Sequence, residues 1–153
     1  MRRLIATAAA LLATLGPVLA DGVRARPRPA PAGPLPLLVH NGSLMTQAFD
    51  PTSGNLLIQY KDPRPGLWPV GVIPGTVLFD GQIQGPVIAG TAFVFSGFCP
   101  PTPYRVIGEV LPDGALVLRG PAPLLDPYSC NVITLVASYN SELLFVPYYG
   151  EPR

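Results

Sequence analysis

The sequence predicts an all-β protein. Three observations carry that expectation. From Leu37 onward the apolar and β-branched residues fall into short runs, and those runs are separated by hairpin and turn residues. No segment holds a 3.6-residue apolar period over the roughly ten residues a convincing helix needs. The 16 glycines and 21 prolines would interrupt one in any case.

Taken in order, the chain opens on Arg2 and Arg3, an apolar stretch from Leu4 to Leu15, and then Gly16, Pro17 and the small-residue ending Val18-Leu19-Ala20. A positive start, an apolar middle and a small-residue end make residues 1–20 a signal peptide cleaved after Ala20. The apolar part is shorter than the roughly 20 residues needed to cross a bilayer. The chain is therefore expected to be exported, to a periplasmic or extracellular destination. Residues 21–36 are proline-rich, carry Arg24, Arg26 and Arg28, and show no apolar periodicity, so they read as a disordered leader. Residues 37–153 then form one all-β domain, and their length suits a single core.

Strands are expected at Ser43–Phe49, Asn55–Lys61, Gly75–Gln84, Val87–Phe95, Tyr104–Leu111, Ala115–Arg119, Asn131–Tyr139 and Glu142–Pro147. Between them stand Asp50-Pro51-Thr52-Ser53-Gly54, Gly85-Pro86, Pro112-Asp113-Gly114 and Asn140-Ser141, all of which suit tight turns. Connections this short pair successive strands antiparallel. The result is a meander of about eight strands, either a small β-barrel, calycin-like in outline, or a β-sandwich; closure has the advantage of removing exposed edges. An outer-membrane barrel fits less well, because several strands fall short of the roughly 9 to 11 residues a spanning strand needs.

Alternation separates wet faces from dry ones. In Tyr104–Leu111 one face carries Arg105 and Glu109, so that face meets water. In Val87–Phe95 and Asn131–Val146 both faces are apolar; such strands are buried on both sides or meet a partner. Only 12% of residues are charged, about half the share of roughly 25% usual in soluble chains. Ten Lys plus Arg against nine Asp plus Glu leave no basic stripe for nucleic acid, and no stretch after the signal is apolar enough for a transmembrane helix.

Cys99 and Cys130 are the two cysteines, and in an exported chain they are expected to form one disulfide. With a single histidine they do not make a metal site. That histidine, His40, stands beside Asn41-Gly42 where the leader meets the domain and is read as exposed and idle. The carboxylates Asp50, Asp62, Asp80, Glu109, Asp113, Asp126 and Glu142 mostly occupy turns, so no catalytic residues are expected and no cofactor is implied. Asn41-Gly42-Ser43 also satisfies the glycosylation sequon.

The most unusual string is Tyr60-Lys61-Asp62-Pro63-Arg64-Pro65-Gly66-Leu67-Trp68-Pro69, which gathers the only Lys and the only Trp with an Arg. Tyr60, Lys61, Arg64 and Trp68 are accordingly candidate binding residues, since stiff loops bearing Trp and Arg are the composition of binding hot spots. Alternatively Trp68 plugs one end of the barrel and Arg64 pairs with Asp62 at the surface.

The runs Gly75–Phe79, Gly90–Phe95, Cys99–Tyr104 and Gly120–Pro123 resemble uncharacterised small exported β domains of bacteria, over residues 42 to 147. That resemblance implies no activity. In outline the meander also looks like the small barrels of lipocalin and avidin type, from which no binding residue is carried over. The functional expectation is a non-catalytic binding or interaction protein of the cell envelope, meeting a protein partner or a second copy of itself. A carrier of a small apolar ligand in the barrel mouth is the alternative, and a hydrolase is a more distant one.

Overall fold

The computed structural model describes residues 35–150. The expected signal peptide, the expected leader up to residue 34 and the last three residues lie outside the described part. Eight antiparallel strands close a barrel: β1 (Leu37–His40), β2 (Ser43–Phe49), β3 (Asn55–Asp62), β4 (Val77–Gln84), β5 (Val87–Ser96), β6 (Cys99–Val110), β7 (Leu116–Arg119) and β10 (Glu142–Tyr148). Strands β2 to β7 run as a meander, β10 pairs with β7, and β1 closes the ring between β10 and β2. The remaining strands, β8 (Ala122–Leu125) and β9 (Val132–Val136), form a separate two-stranded sheet inserted between β7 and β10. The fold is thus a barrel, not a sandwich.

β1 and β8 are absent from the expected strands, and Asn131–Tyr139, expected as a strand of the meander, contributes the five-residue β9 of the arm instead. The signal for β1 is Asn41-Gly42. Both residues have positive φ, 46° and 76°, as a two-residue type I′ hairpin requires, and the flanking Leu38–His40 pairs with Ser43–Met45. Strand β6 begins five residues earlier than expected, through Pro100, Pro101 and Pro103. Strand β7 pairs only with Ile107–Val110, so these prolines sit where β6 has a neighbour on one side alone and their missing N–H groups are tolerated.

The interior is filled by alternate residues of every barrel strand. Leu38, Met45, Leu56, Ile58, Phe79, Ile88, Leu118 and Phe145 are almost wholly buried. Phe79 fits because two glycines make room for it. Gly81 and Gly90 face each other across β4 and β5, and a Cβ on them would stand 2.5 and 2.8 Å from the Phe79 ring. A ring laid over a pair of strand glycines shields backbone they leave bare.

The two ends of the barrel differ. At one end lie the turns Asp50–Gly54, Gly85-Pro86 and Pro112–Gly114, together with the first residue of β1 and the last of β10. At the other lie the Asn41-Gly42 turn, the 3-10 helix Pro65–Val70, the β5–β6 tip at Gly97-Phe98, the β8–β9 arm and the 3-10 turn Tyr139–Ser141. Among the described residues no helix is long and apolar enough to cross a membrane.

Candidate functional site

The elaborated end carries two features: a polar mouth and an apolar arm. The mouth is a cavity of about 90 Å³ whose lining includes His40, Asn41, Ser43, Tyr60, Arg64 and Tyr104. Tyr60 arrives from the end of β3 and Tyr104 from β6, and both are buried. Phe95 sits at an irregularity in the β5–β6 register and turns inward there, its ring meeting Tyr60 edge-on at 6.0 Å. Burial pushes both tyrosines up to about 12, with Arg64's charge opposing the shift at Tyr60. Each phenol therefore stays protonated and can donate. The Tyr104 hydroxyl donates to the carbonyl of Asn140, which pins the 3-10 turn to the barrel rim.

His40 is only 6% exposed, which corrects the expectation of an exposed and idle residue. As the last residue of β1 it shares the inward face with Leu38 and packs its ring against Phe145, centroids 4.8 Å apart. Nδ1 donates to the Leu144 carbonyl at 2.9 Å, and Nε2 accepts from the Asn41 amide at 3.2 Å. Burial holds the imidazole below its ordinary pKa; the Leu144 carbonyl raises it, and Arg64's charge lowers it further. Ser43 lies across the ladder from His40, but its oxygen accepts the backbone N–H of Arg64. Serine and histidine are thus neighbours without the hydrogen bond that nucleophilic catalysis uses. Among the described residues no Asp or Glu lines the cavity.

The string around Trp68 divides between the mouth and the solvent. Tyr60 and Arg64 line the cavity, whereas Lys61 is exposed on β3 and Trp68 stands 62% exposed on the outside of its 3-10 helix. Pro65 starts that helix and left-handed Gly71 ends it; Leu67 and Val70 pack against the core while Trp68 points away. Trp68 is therefore not a plug. Nor does Arg64 pair with Asp62, since the only ion pair among the described residues joins Arg119 to Glu142 on exposed side chains.

The arm is clamped at its tip. Cys130 bonds to Cys99 with Cα atoms 5.4 Å apart, tying the β8–β9 turn to the start of β6. Within that turn the Asp126 carboxylate accepts from the N–H groups of Tyr128 and Ser129 and from the Ser129 hydroxyl. Hydrogen bonds from Ser129 and Tyr128 hold that carboxyl below its ordinary range. Asp126 thus shapes the turn, as Asp does at its own backbone. Beyond it, Val132, Ile133, Thr134 and Leu135 are all exposed, and Phe98 and Tyr128 stand almost fully in solvent at the tip. This overturns burial of Asn131–Tyr139 within the domain. The pattern apolar on both faces is real, but neither face is covered.

Among the described residues there is no group of His, Cys, Asp and Glu suited to a metal ion. Comparison of the chain with protein-family models, with curated proteins and with solved structures returned no match. What the fold and site define is a closed eight-stranded antiparallel barrel with a disulfide-clamped arm.

Proposed function

We propose that this protein is an exported, non-catalytic interaction module of the cell envelope, and that the β8–β9 arm is its contact element. One observation carries the proposal: β9 is Val-Ile-Thr-Leu-Val, exposed on both faces, and among the described residues its outer edge has no strand beside it. Natural edge strands are guarded by charge, proline or bulges. Strand β8 has Pro123 within it and the β8–β9 register shifts at Leu124/Leu125, leaving Ile133 without a β8 partner, but β9 has neither proline nor charge, and no charged residue occurs from Pro127 to Ser141. A bare edge of this kind recruits an extended strand, with main-chain hydrogen bonds supplying affinity. The packed barrel interior and a mouth far below the roughly 300–1,000 Å³ of ligand pockets favour this reading over an apolar-ligand carrier.

The occupant we commit to is a second copy of the chain, because β9 is self-complementary. Paired antiparallel about Thr134, it sets Val132 against Val136 and Ile133 against Leu135, which is what an isologous two-fold contact requires. Sedimentation equilibrium of the wild type and two double variants tests this. The wild type is expected to dimerise by mass action. I133K/L135K sets like charges opposite one another and should remain monomeric, whereas I133K/L135E sets Lys opposite Glu in that register and should still dimerise. A monomeric wild type, or two variants that behave alike, overturns the self-pairing. Site-specific photo-crosslinking from position 133 in the native host then decides whether the arm meets any protein; crosslinks no more frequent than from Gln82 on the barrel exterior would remove the arm as a contact element.

A further inference from the structure

The mouth carries one charge and no counter-charge. Among the described residues, Arg64, exposed at the rim, is the only charged residue in the lining, and its guanidinium has no carboxylate partner. Beside it stand hydroxyl groups whose protons are not taken up by the protein. Among the described residues, Ser43, 1% exposed, accepts the Arg64 N–H and donates to no acceptor. Tyr60, 5% exposed, makes no hydrogen bond from its hydroxyl to a described residue and is not among the fully buried unpartnered atoms, so that hydroxyl keeps some exposure in a residue that lines the cavity. His40 supplies no competing charge, because both its ring nitrogens are engaged and burial keeps it neutral. The result is a small chamber with donors in excess.

We propose that the mouth binds a single small oxyanion of the carboxylate or phosphate class, held by the Arg64 guanidinium and the hydroxyls of Tyr60 and Ser43. Size agrees with this. A chamber of about 90 Å³ is well below the roughly 300–1,000 Å³ of drug-sized ligand sites and suits a small group. Hydrogen bonds from a guanidinium to an oxyanion are charge-assisted and about twice as strong as neutral ones. The anion would be free in solution or the end group of a larger molecule, and this site is independent of the arm.

The test is titration of the isotope-labelled protein with acetate and with inorganic phosphate at constant ionic strength, followed by NMR at the Arg64 side chain and the His40 ring. A second arm uses a short peptide with a free C-terminal carboxylate against its amide. Saturable shifts confined to the mouth are expected. Arg64→Gln should weaken binding at least about tenfold and Tyr60→Phe about threefold to tenfold, while Arg105→Gln, on the barrel exterior, changes nothing. Because a bound anion offsets Arg64's charge, the pKa of His40 should rise on saturation; Arg64, Tyr60, Tyr104 and Tyr139 are the other titratable groups facing the mouth. Saturation by acetate or phosphate identifies a free anion, and saturation by the peptide acid alone identifies an end group. Linear shifts from every probe, or equal loss in Arg105→Gln, overturn the site.

Discussion

The two ends of this barrel are made from the same strands and differ in what joins them. At the plain end the connections are tight turns; Asp50, for instance, accepts from Thr52 N and the Ser53 hydroxyl and closes its loop without reaching any other element. At the elaborated end the connections lengthen into a 3-10 helix, an arm and a rim turn, and each is held by a long-range contact: Ser43 to Arg64, Cys99 to Cys130, Tyr104 to Asn140. The same strands thus serve as one scaffold on which a single set of connections is elaborated and tied down, the setting in which loops are usually recruited for function.

The sharpest way to break this comparison is to damage the shared scaffold. Phe79→Ala removes the ring over Gly81 and Gly90 and should cost about 3–5 kcal/mol in urea unfolding, with both ends lost in one transition. Removing the clamp should act on one end. The cysteines are 31 residues apart, and the double variant C99A/C130A should lose up to about 3.7 kcal/mol by the chain-entropy estimate. Hydrogen exchange should show β8 and β9 losing protection while β2 and β3 keep theirs; equal loss at both ends would dissolve the distinction.

Tyr104→Phe removes one hydrogen bond to the rim turn and should cost about 1 kcal/mol, read by the same unfolding assay. His40 links the mouth to pH. Its folded pKa is depressed, so the unfolded state binds the proton more readily, and its contribution is complete above the unfolded value of about 6.5. Stability should fall as pH drops from there toward the folded pKa. His40→Gln should flatten that part of the profile, and an unchanged slope would place the pH dependence elsewhere. Least of all should Trp68→Ala matter, within about 0.5 kcal/mol, because the side chain is mostly in solvent.

Most barrel strands were legible because local patterning and turn residues announce them; Ser43–Phe49 matches β2 at both ends. What could not be read locally was closure. β1 is four residues long and His40 is buried only because β10 lies beside it, with a register set by residues a hundred positions away. The arm misled for the opposite reason. Its apolar strand has the composition of a barrel wall, and nothing within Val132–Val136 says that the barrel is already complete without it. In the mouth, Tyr60 and Arg64 were findable from their unusual neighbourhood, whereas Ser43 and His40 became part of it only through the β1–β2 pairing.

The seam of the barrel lies between its first strand and its last, where Leu37 stands opposite Tyr148. Contacts so distant along the chain are slow to form, since loop closure must come before the pairing that rewards it. A chain whose β10 has not yet been made cannot complete the ring. Without β10 the edges of β1 and β7 stay unpaired, so β10 is the segment that removes the last open edges of the sheet.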